Sequence, residues 1–327
     1  MAPVYKFAVI QLQPKDVAVE ENFAKAEFYL RQAAAQGADL AILPEYHLTS
    51  WCPDHPEFIS ACKASIPYLA RYQALAHELN INIVPGTICE VHPATATTIQ
   101  NDRALSHDAN RDPQTLIEIR NMAYWISPHG ALLGNYQKKN LWHTERPHLT
   151  AGTAQTPHTA FDTPFLRGDD GGDDDDHRRR RRPLRAGLLI CWDLAFPEAF
   201  RALVADGAEL VVIPSFWLVN GSDLDETRKR LNPDCEGLFL RSVLVARAFE
   251  NTAVVAFCNT GGLSQVVVPV EGPAGGGWEG GVDEEVMKVM EVDFEGVRAL
   301  EDAYKIRGDM LNGEGWHYGY TLWKGEE

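Results

Sequence analysis

Residues 187–198 read GLLICWDLAFPE, and the fold follows from how this stretch changes character. Residues 185–190 form an apolar run, the run stops at Cys191-Trp192-Asp193, and a helical pattern resumes over 196–205. A buried strand that bends sharply into a helix accounts for this change, with Cys191 on the bend. Such a strand-to-helix bend resembles a nucleophile elbow, and a helix start beside the thiol favours thiolate. A buried structural cysteine fits the same local pattern.

The same alternation extends in both directions. Toward the N-terminus, residues 6–12 read as a strand, 20–36 as an Ala-rich helix stopped by Gly37, and 39–43 as a short strand ending at Pro44-Glu45. Residues 67–80 read as a helix with Pro in its first turn, followed by a strand at 81–85. Periodicity weakens over 87–113, which reads as a long excursion. Residues 119–126 and 131–137 read as strands joined by the turn sequence SPHG, a hairpin. Beyond the elbow come a strand at 209–214, a helix at 235–249, and strands at 252–257, 264–270 and 286–292. This is α/β alternation with crossovers long enough for parallel pairing. GADLAILPEY (37–46) and GAELVVIPSFW (207–217) share Gly, Ala, an acid, an apolar strand and a Pro exit. They read as a pseudo-repeat, with positions 45 and 215 just beyond strand ends, where open α/β sheets hold ligands.

Chemistry-bearing residues gather at these exits. Glu45 follows a buried run that raises a carboxyl pKa toward that of a usable base, although a solvent-facing loop acid is the alternative. In YQKKNLW, Lys138 or its neighbour Lys139 is available to stabilise an oxyanion. Glu145, in HTERPH, lies seven residues after Lys138. A Cys, a Glu and a Lys at three strand exits supply a nucleophile, a proton acceptor and a charged donor, groups that distant chain segments commonly bring together.

Composition narrows the classes. With 46 acidic against 30 basic residues in 327, the net charge of -16 argues against a protein that coats phosphate backbones. No apolar run approaches the roughly 20 residues of a membrane span, and the start lacks signal-peptide features. Six scattered cysteines without a CxxC pair do not make a disulfide framework, so a reducing, cytoplasmic setting is expected. His143/His148 and His47/His55 lack zinc-site spacing, GxSxG is missing, and GPAGGGWEGG (272–281) is a turn between strands and not a dinucleotide loop. Neither metal nor cofactor is expected, and neither nucleic acid nor membrane is expected as a partner.

ILPE (42–45), YQKKNLWHTE (136–145) and GLLICWDLAFPE (187–198) resemble, in order, the three signature blocks of the nitrilase superfamily of carbon-nitrogen hydrolases. The similarity runs on through IPSFW (213–217) and the helix bearing Arg241-Ser242 and residues 246–251. The resemblance implies a single α/β domain, a four-layer αββα sandwich over residues 1–327. It implies Glu45 as general base, Lys138 beside the tetrahedral intermediate, Cys191 as nucleophile, Glu145 as a second glutamate that positions substrate, and the Trp192 N–H as an oxyanion donor. Cys-Trp-Asp with Phe-Pro-Glu behind it resembles the amidase and carbamoylase branches, since nitrilases usually carry Glu where Asp193 stands. The phrase His143-Thr144-Glu145-Arg146 is close to the nitrilase one.

Hydrolysis of a small amide is therefore expected. Nitrile hydrolysis, N-carbamoyl amino acid hydrolysis and a non-catalytic scaffold are the alternatives, and at least a homodimer is implied. The pocket is expected from Tyr46, His47, Trp51, Trp142, Trp192, Phe196, Phe216, Trp217 and Asn220, with Arg103 or Arg146 as candidates for a substrate carboxylate. The aromatic tail, with Trp316, Tyr318, Tyr320 and Trp323, reads as a docked arm over about 298–327. The tract DDGGDDDDHRRRRR reads as a charged surface insertion at about 167–183: seven Arg and six Asp between 167 and 185 leave a net of +1. Its place just before the Cys191 strand reads as adjacent to a lid.

Overall fold

A computed structural model of the chain describes residues 3–95, 116–153, 155–167, 182–221, 224–277 and 281–312. Two sheets lie face to face. In the first, β1 (Val4–Gln11), β2 (Leu40–Ile42) and β3 (Asn82–Val84) run parallel at the centre. Flanking them antiparallel are β13 (Val286–Asp293) on β1 and β5 (Ile117–Ile126) on β3, with β4 (Thr87–Pro93) and β6 (Leu132–Gln137) both paired to β5. In the second, β8 (Pro183–Leu188), β9 (Leu210–Ser215) and β10 (Val254–Asn259) form the parallel centre. Around them lie β7 (Phe161–Leu166), β11 (Gln265–Val268) and β12 (Gly272–Pro273).

The central strands bury both faces, so they are continuously apolar. On β1, Phe7 and Val9 enter the core between the sheets, while Ala8 and Ile10 meet the outer helices. Aromatic rings join the sheets: Phe165 lies 4.5 Å from Tyr5 and 5.9 Å from Phe7, and Trp125 packs on Phe161. The buried Cys258 thiol donates across the interface to the Ile10 and Ile42 carbonyls, both at 3.2 Å.

Helices cover both outer faces. Over the first sheet lie α1 (Val19–Ala35), α2 (Phe58–Ser65) and α3 (Tyr68–Leu79); the 3–4 spacing of Phe23, Ala26, Leu30 and Ala33 turns one face of α1 inward. Over the second lie α4 (Pro197–Ala205) and α6 (Cys235–Asn251), with Leu240, Val243, Leu244, Arg247, Ala248 and Asn251 buried at the same spacing. A short α5 (Glu226–Leu231) precedes α6. The result is the expected four-layer αββα sandwich.

The two similar phrases occupy equivalent places. Gly37 (φ 76°) and Gly207 (φ 93°) both turn a helix into the middle strand of a parallel triplet. The Asp39 N–H donates to Lys6 and the Asp39 carbonyl accepts from Asn82, just as Glu209 bridges Arg185 and Val254.

Three expectations change. The excursion over 87–113 begins with a strand, β4, whose seven pairs with β5 were hidden by mixed polarity, and residues 96–115, including Arg103, lie outside the described residues. Strand β7 and helix α2 were not foreseen; the strand carries Asp162 and Pro164 and gains its buried positions only against β8 and the opposite sheet. The charged tract, of which 168–181 lie outside the described residues, joins β7 to β8 as a hairpin connection, with Arg167 N–H donating to the Arg182 carbonyl at 2.9 Å. That root is at the start of β8, whereas Cys191 follows its end, about 20 Å along a six-residue strand. The tract is therefore rooted at the end of the sheet away from the elbow, and not beside it. At the other terminus, α7 (Glu295–Tyr304) and α8 (Ile306–Asn312) dock on their own chain, Arg307 reaching the Ala208 carbonyl at 2.6 Å; Trp316, Tyr318, Tyr320 and Trp323 lie outside the described residues.

Candidate active site

Glu45, Lys138 and Cys191 stand directly beyond β2, β6 and β8 and converge. The Glu45 carboxylate is fully buried. One oxygen accepts from Lys138 Nζ and from Asn121 Nδ2, both at 2.8 Å; the other accepts from the Phe216 N–H at 2.9 Å. Phe216 belongs to the second similar phrase and Glu45 to the first, so the two phrases meet here. Lys138 Nζ also donates to Glu145 Oε1 at 2.6 Å, and Glu145 in turn accepts from Tyr46 Oη and from the Trp142 N–H at 2.7 Å.

Burial raises the Glu45 pKa to about 7. The neighbouring Lys138 works against this rise, and Glu145 works with it. Burial also opposes the Lys138 charge, but Glu45 and Glu145 outweigh it and hold the ammonium above its ordinary range. At neutral pH the site therefore contains a fixed cation beside a carboxyl poised to gain or lose a proton.

Cys191 occupies the left-handed region at φ 45°, uncommon for a side-chain-bearing residue, at the start of a 3-10 turn, Cys191–Ala195. Asp193 locks that bend. Its buried carboxylate accepts from the Ile190 N–H at 3.0 Å and from the N–H and side-chain amide of Asn140 at 3.0 and 2.8 Å, tying the elbow to the loop that carries Lys138. Arg247 on α6 holds the far end through the Leu194 carbonyl at 3.3 Å. Cys191 lines the same cavity as Glu45, and each shifts the other's pKa. Burial, reinforced by Glu45, pushes its pKa well up, while Lys138 and the buried Ser215 hydroxyl favour the thiolate. The ground state is thus a neutral thiol with a proton acceptor at hand.

The four groups open onto a cavity of about 500 Å³. Tyr46, Trp51, Trp142, Trp192, Phe216 and Trp217 line it; so do Leu218, Arg228, Cys235, Glu236 and Phe239, which were not foreseen. Asn121 was missed as well. His47 instead turns away to Tyr72, 2.6 Å from its hydroxyl, and burial lowers its pKa to about 3. Phe196 packs edge-on against Trp192 at 6.2 Å and, like the exposed Asn220, is not part of the lining. Arg146 is exposed and bonds the Leu141 carbonyl. Lys139, the alternative to Lys138, bonds Tyr136 Oη through its backbone and does not line the cavity. A run of polar residues with no apolar period carries Arg228 and Cys235, which is why neither had a sequence signal. Among the described residues, no three or more His, Cys, Asp or Glu converge in a metal-binding arrangement, and no helix is long and apolar enough to cross a membrane.

The family profile described as carbon-nitrogen hydrolase matches residues 6–279. A probable nitrilase of Schizosaccharomyces pombe is 25% identical over 312 residues, covering 92% of this chain and 90% of that protein. An (R)-stereoselective amidase of Pseudomonas sp. is 31% identical over 204 residues, 59% of this chain and 61% of its own length. Among solved structures, the carbon-nitrogen hydrolase of Helicobacter pylori shares the fold with a TM-score of 0.69 at 17% identity, covering 94% of both chains. The profile spans most of the sequence and includes all four converging residues, so the chain belongs to the carbon-nitrogen hydrolase family of the nitrilase superfamily.

Proposed function

We propose that the enzyme hydrolyses the C–N bond of a small amide through a thioester on Cys191. The observation that carries this reading is the buried Glu45–Lys138–Glu145 network sharing one cavity with a thiol on a strained bend. As Sγ attacks the carbonyl carbon, Glu45 takes the thiol proton and the carbonyl π electrons move to oxygen, which Lys138 and the Trp192 N–H stabilise. Collapse of this intermediate breaks the C–N bond, and the Glu45 proton leaves with the nitrogen as ammonia or an amine. Water, deprotonated by Glu45, then attacks the thioester; the acid departs and the sulfur recovers its proton. Glu145 holds Lys138 and the Trp142 turn in place.

Asp193 and the amidase among the relatives support amide over nitrile. Nitrile hydrolysis is the second reading, favoured by the probable nitrilase that aligns over most of the chain. A panel of matched amides, nitriles and N-carbamoyl amino acids, with ammonia release as the readout, tests the choice: amides are expected to react fastest. A nitrile preference would overturn the amidase branch, and turnover that survives Cys191→Ala would overturn the mechanism.

We further propose a homodimer or larger homo-oligomer through the outer face of α6. Leu238, Val245 and Phe249 are exposed there along one stripe, with Tyr304 packed on Phe249 at 5.5 Å. A reducing cytoplasmic setting suits the free thiols and completes the proposal.

A further inference from the structure

The cavity is larger than a two- or three-carbon amide requires, and its walls are unusually aromatic. Four tryptophans, Trp51, Trp142, Trp192 and Trp217, line it together with Phe216 and Phe239, and its volume of about 500 Å³ is in the range of sites for ligands of drug size. Trp217 is held at both ends. Its backbone exchanges two hydrogen bonds of 2.7 Å with the Asn259 side chain at the end of β10. Its indole Nε1–H donates to Glu236 Oε2 at 2.8 Å. The ring is thereby fixed against Phe239, stacked at 5.5 Å, and against Trp192 at 5.3 Å.

Glu236 is itself held. Its second oxygen accepts from Arg228 Nη1 at 3.3 Å, and Arg228 Nε donates to Asp225 at 2.9 Å. This charged pair lines the cavity yet is committed to the wall. A substrate carboxylate arriving at Arg228 meets two carboxylates already there, and an ammonium arriving at Glu236 meets the guanidinium. Among indole rings, an added charge also loses its hydration without compensation. An uncharged aromatic ring loses little on entry and stacks on a wall that is already ordered.

Building on the amidase reading above, we propose that the substrates are primary amides of uncharged carboxylic acids bearing an aromatic ring, and that Glu236, braced by Arg228, sets this specificity by fixing Trp217. Glu236 acts as a positioning residue, since its contact is with the indole and not with the reacting atoms.

The test compares 3-phenylpropionamide, propionamide and succinamate, the last matching the chain but ending in a carboxylate. In the full-length enzyme the phenyl amide is expected to exceed the other two in kcat/KM by at least about tenfold, with the gain in KM, the scale of one or two aromatic contacts. Glu236→Ala should collapse this ratio toward one, whereas Glu236→Gln, which keeps an acceptor for Nε1, should retain most of it. If the alanine variant does not fold, Trp217→Phe, which keeps a ring but loses the N–H, should lower the ratio in the same way. A preference for succinamate or propionamide, or a ratio unmoved by the variants, would overturn the inference while leaving the amidase reading intact. A second arm titrates Cys191→Ala with the three amides by calorimetry, the phenyl compound being expected to bind about tenfold more tightly. Selective binding without hydrolysis of any amide by the native enzyme would overturn the amidase reading and uphold the pocket inference; unselective binding would overturn the inference.

Discussion

Replacing Glu145 with Gln removes one of two carboxylates that share the Lys138 ammonium, and the effect is read in the pH dependence of catalysis. Glu45 has a pKa of about 7, and Glu145 is one of the causes that raise it. Both carboxylates bond the same Nζ, at 2.8 and 2.6 Å, so their bonded oxygens lie within about 5 Å of each other. At that separation two charges repel by about 0.8 kcal/mol with the dielectric of water and about 3 kcal/mol at an effective protein dielectric of 20. These energies correspond to roughly 0.6 to 2 pH units.

The sign follows directly. Without Glu145, the Lys138 charge acts on Glu45 with less opposition, the carboxylate form is favoured, and the pKa falls. In the native enzyme the raised Glu45 pKa of about 7 places the rising limb of kcat/KM for a non-ionising amide in the neutral range. In Glu145→Gln the rising limb is expected to move to lower pH by about one unit, whatever the height of the plateau. Initial rates of ammonia release from propionamide between pH 5 and 9 provide the measurement. A limb that stays in place, or moves to higher pH, would refute the electrostatic account of this site.

Three further outcomes are expected. Cys191→Ala should lose at least about a thousandfold in turnover while keeping the native circular dichroism and oligomer size, and the native enzyme caught during slow turnover should carry an acyl mass on the peptide containing Cys191. Asp193→Asn puts a donor where the carboxylate now accepts from Ile190 and Asn140; urea denaturation should record a loss of about 1–3 kcal/mol, with kcat falling more than KM changes. Gly86→Ala should both destabilise and slow the enzyme. At φ 62° an added Cβ would stand 2.0 Å from the Pro44 carbonyl, next to Glu45, and the expected cost is on the order of 1–3 kcal/mol; a native denaturation midpoint and native kcat would contradict it.

The sequence by itself determined most of the element types and the three strand exits that carry Glu45, Lys138 and Cys191. It could do so because β2 is buried throughout and β8 toward its end, β6 follows the SPHG turn, and the exits fall at Pro44, at the lysine pair and at Cys191, all signals within a few residues. It also marked the two similar phrases, whose shared glycine, strand and exit are local features. Only the tertiary structure decided which groups complete the site. Asn121 reaches Glu45 across 76 residues and the Phe216 N–H across 171, and no local period records such a contact. The same holds for the Arg228–Glu236–Trp217 brace, which lies on a short polar helix and the first turn of α6, where sequence pattern alone reads as solvated surface. The charged tract illustrates the reverse error. Nearness to Cys191 along the chain suggested nearness in space, but the extended strand between them sets its root at the opposite end of the sheet. Element identity is a matter of local burial and backbone preference; the site, its specificity and its distance from the tract depend on which strands pair and how two sheets stack.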